Sequence, residues 1–362
     1  MRDVTAEVGG NSVTGGFGNG PQRVLVTGGA GYIGSHVVQK LLARGHAVQV
    51  VDNYLYGGQG LIDLFNHPRL EMIEGDIRSR ETMRSAVRGA NRVIALAALV
   101  GDAACELDVN RTISINQEAT QLLAEVCREE GVQRVVFASS CSVYGANSNG
   151  MLDETSWLNP VSVYAKTRIR SEEILLEQID RFSVTVLRLA TVFGLSSRMR
   201  LDLLVNTFTA NGFFDGKIRV FGGQQYRPNL HVQDAAEAFI LAAMAPDEKV
   251  RGETFNVGDE SLNYTVLEIA KLVQGEMPHV EVEIAEGESD QRNYRVKFDR
   301  IREVLGFRTR FAVEDGIREM MHAFRDWAVL APAGEWYHNF RYLKTRGFPQ
   351  VMSEVAAHPA VD

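Results

Sequence analysis

Between residues 22 and 190 the chain alternates two kinds of hydrophobic pattern. Short, almost continuous apolar runs occur at Arg23-Val24-Leu25-Val26, Ala47-Val48-Gln49-Val50-Val51, Leu70-Glu71-Met72-Ile73-Glu74, residues 92–98, residues 133–140 and residues 183–189. Runs of this length and composition predict strands buried on both faces, as in a parallel sheet. Between them lie amphipathic stretches over residues 35–44, 81–88, 114–130 and 162–178. In the first, Val37, Val38, Leu41 and Leu42 share one helical face. Strands alternating with helices predict a doubly wound parallel α/β sheet, with ligands at the carboxyl ends of the strands. Beyond Thr191 the alternation loosens and arginines recur, at 198, 200, 219, 227, 292 and 295. That half, residues 191–362, is expected to be mainly a smaller substrate-binding lobe. Segments near 230–258, a helix over 233–244 and a strand over 254–257, are expected to return to the main sheet.

Composition narrows the class. The chain has 362 residues and a net charge of −8 spread along its length. No basic stripe points to nucleic acid. No apolar run approaches the roughly 20 residues of a membrane span. Residues 1–21 are rich in Gly, Asn and Ser, lack the apolar core of a signal peptide and read as a flexible tail. Cys105, Cys127 and Cys141 have no metal-ligand spacing and read as reduced thiols, so a cytoplasmic protein without a metal is expected.

The first strand runs into Thr27-Gly28-Gly29-Ala30-Gly31-Tyr32-Ile33-Gly34 and then a helix. This is the glycine turn of a dinucleotide-binding, Rossmann-type βαβ unit. Gly28 allows the tight turn, Gly31 lets backbone approach a pyrophosphate, and Gly34 lets helix and strand pack closely. The second strand ends in Asp52, about twenty residues on, where a carboxylate accepts from a ribose 2′-hydroxyl and repels a 2′-phosphate. The expected cofactor is therefore NAD rather than NADP.

The fifth strand delivers Ser139-Ser140-Cys141-Ser142-Val143-Tyr144-Gly145, and the next helix carries Tyr164-Ala165-Lys166-Thr167-Arg168. Together with the glycine turn, these resemble the extended short-chain dehydrogenase/reductase family, in particular its NAD-dependent nucleotide-sugar epimerases. The resemblance covers roughly residues 23–307. It takes in Asp76-Ile77, Leu96-Ala97-Ala98, Asn116, Arg227 with His231 and Asp234, Asn256-Val257-Gly258, and Arg292. It implies Tyr164 as general acid/base, with Ser140 bonding the reacting sugar oxygen. Cofactor contacts are implied at Gly28, Gly31, Tyr32, Ile33, Gly34, Asp52, Asn53, Asp76, Ile77, Ala97, Ala98, Asn116, Tyr164, Arg168 and Val192. Substrate contacts are implied at Ser140, Ser142, Thr191 and Asn206, with Arg227 and Arg292 gripping a pyrophosphate. His231 is given a structural hydrogen-bonding role. The remaining arginines are read as solvated charges. The implied partner is a nucleotide-sugar, and the implied assembly is a homodimer in which the helices over 114–130 and 162–178 pair as a four-helix bundle.

Two departures from the family pattern matter. The residue four after Tyr164 is Arg168 where the family has lysine, and Lys166, roughly 200° around the helix, is expected to point away. Arginine keeps the positive charge but is bulkier and does not deprotonate. An active variant, a slow enzyme and a non-catalytic homologue are all compatible with it. Where the family's dehydratases place Asp-Glu after the active-site hydroxyl, this chain has Cys141-Ser142, which supplies no carboxylate acid or base. Epimerisation, at C4 of a UDP- or dTDP-hexose, is therefore expected over dehydration. The alternatives are an NAD(H)-dependent keto-sugar reductase and a non-catalytic binder.

Overall fold

The computed structural model describes residues 20–287, 290, 292–326 and 334–348. Except for Gly20 and Pro21, the expected N-terminal tail lies outside them. Seven strands form one parallel sheet: β1 Arg23–Thr27, β2 Ala47–Asp52, β3 Leu70–Glu74, β4 Arg92–Ala95, β5 Arg134–Ser140, β6 Ser183–Leu189 and β7 Glu253–Val257. Their order across the sheet is β7-β6-β5-β4-β1-β2-β3, so the direction of winding reverses between β1 and β4. That reversal opens a crevice at the strands' carboxyl ends. β6 is buried at every residue, which explains why it reads as a continuous apolar run rather than an alternating one.

Two apolar cores sandwich the sheet. One joins the helix Gly34–Ala43 and the helix Val232–Met244 to Val24, Val26 and Val136; the other joins Leu123, Cys127 and Leu175 to Leu25, Val93 and Val135. β7 pairs with β6 at the sheet edge, Thr254 opposite Val186 and Val257 opposite Leu189. A further core lies in the C-terminal half, where Val205, Ile218, Ile269, Ile317 and Phe324 pack together.

The chain over 114–130 is not one α-helix. A helix over Val109–Ile113, capped by the Asp108 side chain, enters a wide turn at Ser114–Glu118 before the helix Ala119–Glu129. Such bulges commonly serve a functional site. This one turns Asn116 inward. The three cysteines are buried free thiols, and no group of His, Cys, Asp and Glu among the described residues could hold a metal. Among the described residues, no helix is long and apolar enough to cross a membrane.

Candidate active site

The crevice is a cleft of about 750 Å³ that runs from the glycine turn to the C-terminal half. At its base the chain turns so tightly that a Cβ on Gly28, at φ 72°, would lie 2.8 Å from the Ala97 nitrogen, and one on Gly34 would lie 2.1 Å from the Gly28 carbonyl oxygen. Only glycine fits either place. Gly31, Ile33 and Tyr32 complete the turn and line the cleft. The Tyr32 hydroxyl donates to the Gly194 carbonyl (2.6 Å) and so ties the turn to the C-terminal half.

Asp52 ends β2 with one carboxylate oxygen accepting from the Ala30 N–H (3.0 Å) and the other from the Tyr54 N–H (2.9 Å). Burial pushes its carboxyl above the usual range, and these two N–H groups oppose the rise. Each oxygen keeps acceptor capacity for a ribose hydroxyl. Asn53, Asp76, Ile77, Ala97, Ala98 and Val192 line the same cleft. Asp76 is forked by Arg78, whose Nη2 lies 2.6 Å away. A glycine cradle at a helix N-terminus, an acid at the end of β2 and small residues after β4 fit an NAD molecule.

The reacting end is built from β5 and the helix Val163–Leu176. Ser140, Ser142, Tyr164 and Arg168 all line the cleft, with Thr191 beside them. Ser140 Oγ accepts from the Ser142 N–H (3.1 Å), while the Ser142 hydroxyl is buried without a partner. The strand end is fixed from behind. Ser139 donates to Glu172, Glu172 is paired with Arg188 (2.7 Å), and Arg188 donates to the Tyr144 hydroxyl (3.2 Å). Cys141 is buried and its thiol donates to the Arg188 carbonyl (3.3 Å), so it faces structure rather than cleft.

Arg168 is 2% exposed. It donates to the carbonyls of Ala138 (3.3 Å) and Asn116 (3.5 Å), and its Nε has no partner. Its guanidinium carbon lies 5.2 Å from the centre of the Phe137 ring and 5.5 Å from that of Tyr164. Burial pushes the Tyr164 phenol above its ordinary value, and the Arg168 charge opposes that rise without cancelling it. Lys166 is exposed on the other side of the helix.

Arg227 and Arg292 line the cleft at its far end. Strand Asn293–Val296 pairs with Ala146–Leu152 and carries Arg292 there. Asp290 lies between the two, paired with Arg227 (2.9 Å) and with Arg292, and Asp102 also pairs with Arg292 (2.7 Å). His231 is buried against Glu319 (2.7 Å).

Two expected contacts are not in the cleft. Asn116 is 1% exposed, and its amide is spent on the Leu99 backbone and the Thr167 hydroxyl. It fixes the loop after β4 rather than touching a ligand. Asn206 is fully buried and bonds the Gly194 N–H, the Tyr32 hydroxyl and the Arg200 carbonyl. Its first-turn position on the helix Leu204–Asp215 faces the core. Conversely, several arginines read as solvated are buried: Arg134, Arg188 and Arg198 are each at most 6% exposed. Arg198, Arg200, Tyr56 and Asn339 line the cleft and were not expected to. The only sequence signal for the two arginines was the recurrence of arginine after Thr191, and Tyr56 and Asn339 had none. At the helices expected to pair in a dimer, the exposed positions are Glu118, Gln121, Arg128, Glu129, Lys166, Arg170, Glu173 and Glu177, all of them polar.

Comparison with known proteins agrees with this geometry. Residues 24–258 match the model of the NAD dependent epimerase/dehydratase family. The chain is 30% identical over 315 residues to UDP-glucuronic acid decarboxylase 4 of Arabidopsis thaliana, covering 84% of this chain and 68% of that one. Among solved structures it resembles MoeE5 in complex with UDP-glucuronic acid and NAD, at 30% identity and a TM-score of 0.73, covering 84% of this chain and 99% of that one. It also resembles UDP-glucose 4-epimerase of Thermotoga maritima with UDP-glucose, at 28% identity, a TM-score of 0.75 and the same coverage. The match spans the glycine turn, Asp52, Ser140, Tyr164 and Arg227, and the chain belongs to the NAD-dependent epimerase/dehydratase family of nucleotide-sugar enzymes.

Proposed function

We propose that this protein is an NAD-dependent nucleotide-sugar epimerase acting at C4 of a UDP- or dTDP-linked hexose. The observation that carries the reading is the chemistry around Tyr164. At the end of β5 the Tyr164 phenol stands in the cleft lining with Ser140 and Ser142, and neither residue after Ser140 adds a carboxylate. That set suits removal and return of a hydroxyl proton and lacks the acid needed to expel a hydroxyl group. Bound NAD supplies the hydride acceptor, and its positive ring adds to the field favouring a tyrosinate.

Ser140 holds the sugar C4 oxygen by a hydrogen bond. Tyr164 takes the C4 hydroxyl proton as the C4 hydride leaves, and Arg168 stabilises the tyrosinate before that step. With NAD held by the glycine turn and Asp52 to accept and return the hydride, the 4-keto sugar would turn over before reduction on its opposite face, and Tyr164 would give its proton back. Arg227 and Arg292 keep hold of the pyrophosphate while the sugar turns, since an arginine fork matches phosphate oxygens. Asp290 and Asp102 must give way to that pyrophosphate.

A second reading has one observation in its favour. Arg168 is a buried cation with no carboxylate partner, and the chain resembles a UDP-glucuronic acid decarboxylase. A nucleotide-linked uronate oxidised at C4 would lose CO₂ as a β-keto acid with the same residues. One assay separates the two. Purified protein is incubated with UDP-glucose, dTDP-glucose and UDP-glucuronic acid, and products are read by NMR. A C4 epimer without CO₂ supports the first reading, and a UDP-pentose with CO₂ the second. Tyr164→Phe should abolish either while cofactor stays bound, a loss of roughly 10²–10⁴ in rate. If it turns over at the wild-type rate, the chemistry lies elsewhere. The homodimer remains part of the proposal. With polar outer helices, it is expected to be salt-sensitive in size exclusion.

A further inference from the structure

Arg198 is a buried cation in the cleft; Asp202, which pairs with Arg200 (2.9 Å), and Asp52 act on it through space rather than as direct ion-pair partners. It is 6% exposed. Its guanidinium donates to Asn339 Oδ1 (2.7 Å) and to the Met199 carbonyl (3.5 Å), and its central carbon stands 4.1 Å over the centre of the Tyr56 ring. None of these neighbours is charged. Burial, with Arg200 nearby, pulls its pKa down to about 10. Asp202 and Asp52 oppose that fall without cancelling it, and an anionic ligand in the cleft would meet the remaining electrostatic demand of the desolvated cation.

Its position says which part of a dinucleotide it meets. Tyr56 follows β2, and Val100, whose carbonyl accepts from Asn339 Nδ2 (3.3 Å), follows β4. The glycine turn of β1 lies between these two strands. The loop that carries Arg198 is bonded onto that turn. Ser196 Oγ donates to the Tyr32 carbonyl (2.8 Å) and lies 3.2 Å from Ser35 Oγ, in the first turn of the helix.

A second segment locks the arginine in place. Asn339 opens the helix Asn339–Arg346 and is 1% exposed. Its backbone N–H donates to Asp202 (2.9 Å). Leu343 and Tyr342 pack on Leu99 and Cys105, with Tyr56 and Tyr164 at the margin. The Leu201 N–H donates to the Tyr337 carbonyl (2.8 Å).

We propose that Arg198 is the cation that binds the NAD pyrophosphate, and that the helix Asn339–Arg346, through Asn339, is a clasp that aims it and closes the cleft over the cofactor. The proposal rests on the NAD-dependent reading above and deepens it. The glycine turn offers only backbone N–H groups to a doubly charged pyrophosphate, and Arg198 supplies the full charge. Release of NAD then requires the clasp to open. A cofactor so held would stay in place between accepting the hydride and returning it.

The test uses the full chain stripped of cofactor, with variants Arg198→Gln and Asn339→Ala. Affinities for ADP-ribose and adenosine are measured by calorimetry, and NAD release by exchange with labelled NAD. Arg198→Gln should bind ADP-ribose about 10- to 100-fold more weakly and leave adenosine within about twofold. Asn339→Ala keeps the charge and should speed NAD exchange at least about tenfold. If both variants match wild type in ADP-ribose affinity and exchange rate, the proposal is wrong. If Arg198→Gln also loses adenosine, its fold is disturbed and Asn339→Ala decides alone. Wild-type protein that binds neither ADP-ribose nor NAD would instead sink the reading on which the proposal rests.

Discussion

Replacing Arg168 with methionine should make the protein more stable and less active at neutral pH. The guanidinium carbon lies 5.5 Å from the centre of the Tyr164 ring. A unit charge acting on a tyrosinate across that distance, at an effective dielectric constant of about 20, contributes 332/(20 × 5.5), or ~3 kcal/mol. That corresponds to about 2 pKa units, and water in the cleft reduces it to about 1–2. Burial already raises the phenol and Arg168 opposes it, so removing the charge moves the phenol further up. The base form is the tyrosinate. Below the phenol's pKa the rate follows the tyrosinate fraction, so it falls about tenfold for each unit of upward shift. The limb of kcat/KM on the acid side should therefore move about 1–2 units to alkaline pH in Arg168→Met. In Arg168→Lys it should stay near its wild-type position. Stability should change the other way. Arg168 is buried without a counter-ion, and the Asn116 carbonyl it bonds keeps the Thr120 and Ser171 hydroxyls (2.7 and 2.8 Å) as donors. Exchanging such a cation for an apolar side chain of similar length is commonly neutral or stabilising by about 1–4 kcal/mol. A gain of ~1 kcal/mol raises Tm by about 1 °C in a chain of this size. The assays are a pH–rate series and thermal unfolding of cofactor-free protein. An unmoved acid limb together with a lower Tm would show that Arg168 serves the fold and not Tyr164, and the reasoning would fail.

Other outcomes follow from the same geometry. NAD should bind at least about tenfold, or roughly 1.4 kcal/mol, more tightly than NADP, because Asp52 lines the cleft at the end of β2, where its carboxylate would accept from a ribose hydroxyl and repel a 2′-phosphate. Asp52→Ala should narrow that ratio, and equal affinities for wild type by calorimetry would refute the assignment. Arg227→Ala and Arg292→Ala should each weaken nucleotide-sugar binding by about 1.5–3 kcal/mol and leave NAD affinity unchanged. Asp290→Asn, which frees Arg227 and leaves Arg292 paired only with Asp102, should tighten nucleotide-sugar binding, and a parallel fall in NAD affinity for the arginine variants would misplace them. No 4-keto-6-deoxy product should form from UDP-glucose or dTDP-glucose, since Cys141 is buried and Ser142 carries no carboxylate. Its absorbance in alkali is the readout that would contradict this.

The amino-acid sequence by itself determined the sheet, most of the helices that cover it and the two ends of the cleft, but not the wide turn at Ser114–Glu118. Local chemistry suffices there. Two-faced burial makes continuous apolar runs, as in β6, and a turn that excludes Cβ needs glycine, as at Gly28 and Gly34. Asp52, Ser140, Tyr164 and the two distant arginines were legible because each sits at the end of a predicted strand, on a predicted helix or in a family motif. Lys166 was legible as pointing away because helical rotation fixes its direction. What only the tertiary structure decided are the contacts between positions far apart in the chain. Asn116 and Asn206 are polar residues whose amides turn out to be consumed by buried backbone, a fate that no local pattern distinguishes from ligand binding. Arg198 and Asn339 meet across 141 positions, and Asp290 holds Arg227 across the cleft. Such pairs have no period and no spacing, because they exist only once packing has brought separate elements together. The same holds for Arg168. Its charge could be read from the chain, but its burial between Phe137 and Tyr164 without a counter-ion is a property of the folded protein.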